Sequence, residues 1–134
     1  MLKRDFIMVQ IEEIGKMVVQ LVLNRNDGND GNDGNDGNPA QSEDLLATIY
    51  KSLQTTTDFL LTHSPAEIRE QLNLDDGCGL ERAELAAKTL IEESYRREDP
   101  LPLRRKAREL IEFVQANDNT FSLERMQLLQ ELND

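Results

Sequence analysis

The residues that could carry out acid–base or nucleophilic chemistry in this chain are few and poorly placed. His63 is the only histidine and lies at a predicted helix start, where no neighbour in the sequence is expected to orient its ring for proton transfer. Cys78 is the only cysteine, and the nearby Asp75 and Asp76 should raise the pKa of its thiol and suppress the thiolate. One histidine and one cysteine cannot close a zinc site by themselves.

Paired carboxylates are the other candidates for catalysis. Glu12–Glu13 and Glu92–Glu93 are adjacent, and adjacent residues of a helix point about 100° apart, so neither pair should share a proton or bridge a metal. An enzyme that used carboxylates alone would need a pocket in which at least two of them converge. The sequence has no phosphate-binding loop, no dinucleotide-binding glycine pattern and no Gly-x-Ser-x-Gly motif. We therefore expect no catalytic residue, no cofactor and no metal site.

Four Asn-Asp-Gly triplets run in tandem over residues 26–37. Asp and Asn could ligate calcium, but an EF-hand loop needs Asp at position 1, Gly at position 6 and Glu at position 12. No start within the repeat supplies that set, since Asp33 places Asp44 at position 12 but Asn38 at position 6. Gly, Asn and Asp favour turns over regular elements. We interpret residues 24–41 as a flexible, disordered low-complexity loop within the domain.

A cluster of basic residues stands out in a chain whose formal net charge is −11. This basic cluster brackets the corner at residues 100–102 and consists of Arg96, Arg97, Arg104, Arg105, Lys106 and Arg108. It could be a solvated face that balances nearby carboxylates, a docking site for an acidic protein, or a nucleic-acid contact. Aromatic residues for base stacking are missing apart from Tyr95. We therefore expect a protein partner rather than nucleic acid.

The amino-acid composition limits the class of fold, the kind of partner and the cellular location that we expect. The 134 residues suggest a single domain over 1–134, and the 38% hydrophobic content with only 4% aromatics predicts an aliphatic core. The acidic balance disfavours general binding to nucleic acid or anionic lipid. The first apolar run is interrupted by Asp5, Glu12 and Lys16, which argues against a signal peptide or a membrane span. The single cysteine fits a reducing compartment, so we expect a cytoplasmic protein.

Apolar residues recur at helical spacing along most of the chain, and no segment alternates as a strand would. The organising element is a helix predicted over residues 80–98. Its apolar positions cover more than one flank and include the small Ala86 and Ala87, so neighbouring helices could approach closely on either side. This helix is predicted to gather the others around it.

The first helix is predicted over residues 2–23. One face should be buried, because its members recur at steps of four and three: Ile7, Ile11, Ile14, Val18 and Leu21. Val9, Val19 and Leu23 fall outside that face and indicate a second, weaker contact. A homodimer through this helix is one interpretation, and a few exposed apolar residues on a core helix is the other.

Several local signals place the remaining helices. Ser42 is predicted to cap one helix, and the run Thr55–Thr57 to break it. Ser64, Pro65 and Glu67 form a capping-box pattern that starts a short helix over 65–73. A further helix is predicted over 102–117. Ser122 should cap the last helix, whose inward positions are predicted as Leu123, Met126, Leu129 and Leu132.

Three segments resemble an uncharacterised family of small bacterial helical proteins: residues 1–8 (MLKRDFIM), 86–94 (AAKTLIEES) and 121–125 (FSLER). The resemblance implies a tetratricopeptide-like arrangement of antiparallel helices and no assigned activity. Together with the periodicity it predicts an all-α bundle of five to six helices. The expected function is a non-enzymatic protein–protein interaction module. The alternative is a nucleic-acid-associated regulator that uses the basic cluster Arg96–Arg108.

Overall fold

The computed structural model describes residues 2–29 and 39–133. In that part of the chain every regular element is a helix, which confirms the all-α class. Seven helices are present there rather than the expected five to six: α1 (Leu2–Asn29), α2 (Pro39–Leu53), α3 (Thr57–Thr62), α4 (Pro65–Leu72), α5 (Gly79–Ser94), α6 (Leu101–Asn117) and α7 (Leu123–Leu132). The count is higher because residues after the predicted break at Thr55–Thr57 form a separate short helix, α3.

Helix α5 lies at the centre of the fold and contacts α1, α2, α4 and α6. Ala86, Ala87 and Leu90 are fully buried, which confirms that this helix has neighbours on more than one flank. Small alanine side chains allow adjacent backbones to come close, and the aliphatic core packs around them at interior density.

The C-terminal end of α5 differs from the prediction. The helix stops at Ser94 rather than at residue 98, and Tyr95, which follows it, is half exposed. Its ring lies 4.1 Å from the guanidinium carbon of Arg25 and 5.7 Å from that of Arg104. Tyr95 is therefore covered by cations rather than by core side chains.

Helix α1 continues beyond its predicted end at residue 23. Asn24 is buried and accepts a hydrogen bond from Gln20 at 2.8 Å. Arg25 donates from Nε to Glu92 Oε1 of α5 at 2.9 Å. These contacts anchor a segment whose residues have low helix propensity, so tertiary interactions outweigh the local preference.

Both ends of the loop predicted over 24–41 are helical instead. Its first residues belong to α1, and α2 begins at Pro39, a residue that suits the first turn of a helix. Ser42 lies inside α2, buried, and does not cap it. Residues 30–38, which hold most of the Asn-Asp-Gly repeat, lie outside the described residues.

The predicted break at Thr55–Thr57 and the predicted capping box at Ser64 are confirmed. The chain breaks between α2 and α3, and Thr56 Oγ1 accepts a hydrogen bond from Phe59 N at 3.0 Å. Ser64 N donates to Glu67 Oε1 at 2.9 Å, and Glu67 N donates to Ser64 Oγ at 3.2 Å, which completes the capping box. These local bonds fix where α3 and α4 begin.

Helix α7 is capped by Ser122 as predicted, but its inward face is different. Leu123 and Met126 are exposed, whereas Arg125 is buried. Arg125 donates from Nε to Glu84 Oε2 at 3.1 Å and from Nη1 to Gln115 Oε1 at 3.0 Å. This clamp sets the rotation of α7, so the two expected core residues turn outwards.

Candidate docking surface

The basic cluster predicted as a docking patch is largely paired within the chain. Arg97 donates to Glu93 Oε2 and to Glu43 Oε2, both at 2.9 Å, and Arg96 donates to Glu43 Oε2 at 3.0 Å. Hydrogen bonds from Arg97, and then from Arg96, hold the pKa of Glu43 below its ordinary value. Arg96 and Arg97 therefore tie α2 to the C-terminal end of α5.

The remaining arginines of the cluster point to different partners. Arg108 pairs with Glu112 at 3.3 Å, and Arg104 donates to the carbonyl oxygen of Glu131 at 3.4 Å. Arg105 is exposed and, within residues 2–29 and 39–133, forms no ion pair. The structure thus leaves little uncompensated positive charge in the cluster, which weakens the basis for a nucleic-acid contact.

The adjacent carboxylates Glu92 and Glu93 point to different helices. Glu93 Oε1 accepts from the Tyr50 hydroxyl at 2.7 Å and from Thr57 Oγ1 at 2.8 Å. Glu92 instead accepts two hydrogen bonds from Arg25, at 2.9 and 3.2 Å. Burial, together with the negative charge of Glu93, raises the pKa of Tyr50. The two carboxylates do not face each other, so they cannot share a proton.

A second pair of carboxylates does converge, in an open depression of about 400 Å³ between α5 and the start of α7. Glu84 and Asp118 both accept hydrogen bonds from the buried Arg125. That guanidinium holds the pKa of Asp118 below its ordinary value, which favours the ionised form. A general acid needs a raised pKa, which is the opposite of the shift at Asp118. Glu84 and Asp118 are both acceptors in one ion-pair network around Arg125.

The only histidine and the only cysteine are held by local contacts. The His63 ring stacks on Phe59 with centroids 3.9 Å apart, and His63 Nδ1 lies 2.9 Å from the Phe59 carbonyl oxygen. Burial, then the charges of Glu81 and Asp76, raise the pKa of Cys78 and favour the thiol. The pKa direction agrees with the prediction for Cys78.

An apolar groove opens between α1 and α7, with α5 as its floor. We refer to it as the α1–α7 groove, and its volume is about 140 Å³. Small-molecule pockets usually measure roughly 300–1,000 Å³, so this groove suits inserted side chains better. Its wall and floor residues are Gly15, Val18, Val19, Val22, Leu85, Lys88, Ile91, Glu92, Glu124 and Leu128. Lys88 Nζ and Glu124 Oε1 form an ion pair of 3.0 Å across it.

Helix α1 has a second apolar face beside the groove, as the outliers in its periodicity indicate. Exposed apolar side chains lie outside the buried stripe: Phe6, Met8, Val9, Val19 and Leu23. Met8, Gly15, Val19 and Val22 recur at multiples of three and four, so they share one side of the helix. One stripe of α1 therefore packs in the core while a neighbouring stripe meets solvent.

Gly15 lies on this second stripe, in the middle of a long helix. A Cβ added there would lie 3.9 Å from Leu85 Cδ2, an ordinary van der Waals distance. Glycine in a helix interior costs about 1 kcal/mol relative to alanine. The packing of this chain does not require a glycine at this position, although it does leave the groove wall open.

No protein-family model, curated protein or solved structure matches the chain. The resemblance to a tetratricopeptide-like bacterial family therefore stays a prediction. Among the described residues, no helix combines the length and apolar character required to cross a bilayer. In the same part of the chain, no three His, Cys, Asp or Glu side chains come together as metal ligands would.

The sequence did not predict the groove or the Arg125 clamp. Periodicity drew attention to Val19 and Leu23, but Leu85 and Leu128 come from distant segments, and their meeting depends on how α1, α5 and α7 pack. A signal for the clamp existed, since Arg125 interrupts the apolar positions of α7. A single arginine on a short helix is usually exposed, so that signal is weak.

Proposed function

We propose that this protein is a non-enzymatic, cytoplasmic protein-interaction module, built from tetratricopeptide-like antiparallel helix pairs, that binds an amphipathic helix in the α1–α7 groove. The observation that supports this most directly is the apolar groove beside the solvent-exposed apolar stripe of α1. An apolar surface that is open to water and bordered by charged residues is typical of a protein-binding site.

The shape and chemistry of the groove favour a helix as its occupant. Two helices form its walls and a third forms its floor, and the floor residues Leu85 and Ile91 are aliphatic. A bound helix would insert apolar side chains spaced at i, i+3 or i+4, and i+7. The groove is too small for a larger ligand but can receive such side chains in succession.

Charge around the groove favours a partner helix with basic residues beside its apolar stripe. On α1, Glu12 is exposed three residues before Gly15, which lines the groove. On α7, Glu124 is exposed at the rim, where Lys88 is its partner. Lysine or arginine residues on the partner would offset this acidic excess, and the net charge of −11 would attract them over a longer range.

Site-specific photocrosslinking in the cells that produce the protein tests the proposal. A benzophenone amino acid replaces Val19, which is 56% exposed at the groove, or Leu101, which is 61% exposed on α6 and serves as the matched control. The position 19 variant should form a discrete adduct that mass spectrometry maps to a helical segment with the expected apolar spacing and a flanking basic residue.

Adding Val22→Asp, which places a charge in the groove wall, should abolish that adduct. Circular dichroism and thermal unfolding of the same variant verify that the fold is intact. Equal adducts at positions 19 and 101, or an adduct insensitive to the charge at position 22, would contradict the proposal.

A further inference from the structure

We infer that the helix received by the α1–α7 groove is α1 of a second copy of this chain, in a two-fold arrangement centred near Gly15. This inference rests on the proposed function, because it names the occupant of the same groove.

The same patch of the molecule carries both a ridge and a groove. Val19 and Leu23 project from α1 as exposed apolar side chains, while Gly15 and Val22 of the same helix line the adjacent groove. A two-fold dimer needs a self-complementary surface, since each copy contributes the same patch. With the ridge of one α1 in the groove of the other copy, both exposed apolar stripes would be covered at once.

The charge of α1 suits self-association better than that of the rest of the chain. The helix contains four basic and four acidic residues and is formally neutral, although the whole chain carries −11. Two copies that meet through α1 therefore do not place two strongly acidic helices against each other, and Lys16 is the basic residue that each copy brings to the acidic rim of the other groove. Like charges placed directly opposite each other would instead oppose association.

Charged residues next to the stripe fit an antiparallel crossing. Glu12 precedes Gly15 by three residues and Lys16 follows it by one. In an antiparallel pair centred on Gly15, a rise of 1.5 Å per residue places the two Lys16 residues about 3 Å apart along the axis, and each of them about 3 Å from Glu12 of the other copy. The two lysines are thus flanked by the two glutamates, which offset their repulsion. Among the described residues of one chain, Lys16 pairs only with Glu13, and both side chains are largely exposed, so this pair can rearrange easily.

Gly15 itself supports a close approach between backbones. Because Gly15 has no Cβ, the groove wall is open at this position. An alanine here would fit the chain's own packing without a clash. A helix-interior glycine that intrachain packing does not need is explained if a second backbone crosses there. The same position would then set where the two helices cross.

Sedimentation equilibrium of the purified full-length chain tests this inference over a wide range of concentration. Wild type should show a monomer–dimer equilibrium between 15.3 kDa and twice that mass. Val19→Glu should weaken the dimer about tenfold or more, because the contact would bury an unpaired charge. Leu101→Glu makes a comparable change at an exposed site outside the groove and should leave the dissociation constant unchanged.

A charge reversal tests the antiparallel register. Glu12→Lys should weaken the dimer, because it replaces with lysines the two glutamates that offset the repulsion between the Lys16 residues. The double variant Glu12→Lys/Lys16→Glu should restore it, since each reversed residue then faces a partner of opposite sign. Failure of this rescue would overturn the register, and a monomer at every concentration would overturn the inference itself.

The same variants separate this inference from the proposed function. A wild-type protein that stays monomeric but gives the position 19 crosslink to another protein refutes the homodimer and supports the proposed function. A dimer insensitive to both Val19→Glu and Gly15→Ala uses another surface and also refutes the inference. A groove that forms neither dimer nor crosslink refutes both.

Discussion

The space around two glycines, Gly79 and Gly15, distinguishes a tightly packed region of this molecule from an open one. At Gly79, where α5 begins, an added Cβ would lie 2.2 Å from the carbonyl oxygen of Arg69 and 2.4 Å from Asn73 Oδ1. At Gly15, in the wall of the groove, an added Cβ would meet only Leu85 at 3.9 Å. The fold itself explains the first glycine and leaves the second unexplained.

The surroundings of the two glycines differ in the same way. Near Gly79, the buried Arg82 donates to Asp76 Oδ1 at 2.7 Å and to the Leu72 carbonyl oxygen at 3.0 Å, and Asn73 Oδ1 accepts from Gly79 N at 2.9 Å. Polar groups there are paired and the backbone has no spare room. Beside Gly15, apolar side chains face solvent instead. The α4–α5 junction is therefore closed by its own contacts, whereas the outer face of α1 leaves apolar side chains in water.

The largest effect is expected from Gly79→Ala. The new methyl group would collide with backbone atoms, which cannot move aside as a flexible side chain can, so α4 and α5 would have to separate. We expect a loss of about 3 kcal/mol or more in the free energy of unfolding, measured by urea denaturation. A loss below 1 kcal/mol would show that the junction is not tightly packed.

Removal of the charge at Asp76 should have the next largest effect. The hydrogen bonds from Arg82 lower the pKa of Asp76 from 3.8 to about 2, which is worth roughly 2 kcal/mol at neutral pH. Because the folded-state pKa is lowered, this stability is complete above pH 4 and is lost as the pH falls towards 2. Asp76→Asn should lower stability at neutral pH by about that amount.

The pH dependence provides the control for this prediction. The difference between wild type and Asp76→Asn should shrink as the pH falls from 4 to 2, because protonation removes the same charge from wild type. Asp75→Asn, at the exposed neighbouring residue, should leave the pH profile of stability unchanged. A difference that stays constant over this pH range would contradict the assigned ion pair.

Sequence patterns predicted what depends on local chemistry, and missed what depends on distant partners. The Ser64 cap and the buried alanines of α5 follow from neighbouring residues and periodicity. The basic cluster was interpreted from charge along the chain, whereas the partners of Arg97 include Glu43, which lies on another helix. The groove likewise needs Leu128, so no single segment could reveal it.

A smaller, stabilising effect is expected where a non-glycine residue adopts a glycine-like conformation. Gln54 follows the end of α2 with a φ of 59°, and Thr55 N donates to the Tyr50 carbonyl oxygen at 3.0 Å, as in a Schellman motif. Gln54 is exposed, so Gln54→Gly should relieve strain without loss of packing. Thermal unfolding should show a gain of about 1 kcal/mol. A loss of stability would mean that the glutamine side chain makes an important contact.

The smallest effect on stability is expected for Gly15→Ala. This variant tests most directly whether Gly15, unlike Gly79, is not required by the fold. At protein concentrations low enough to keep the chain monomeric, this variant should be more stable by about 0.5–1 kcal/mol, since alanine favours the helix and has room. Gly77→Ala is the matched control: an added Cβ there meets no atom within 4 Å and so has at least as much room as at Gly15, but a φ of +77° makes alanine unfavourable. It should therefore lose stability.

Opposite signs for Gly15→Ala and Gly77→Ala would show that the free space around a glycine does not decide the outcome and that backbone conformation does. If Gly15→Ala weakens the dimer but stabilises the monomer, the glycine at this position serves the dimer contact and not the fold of the monomer. Loss of stability in the monomer would instead mean that Gly15 serves the fold, as Gly79 does, and the contrast between the two regions would no longer hold.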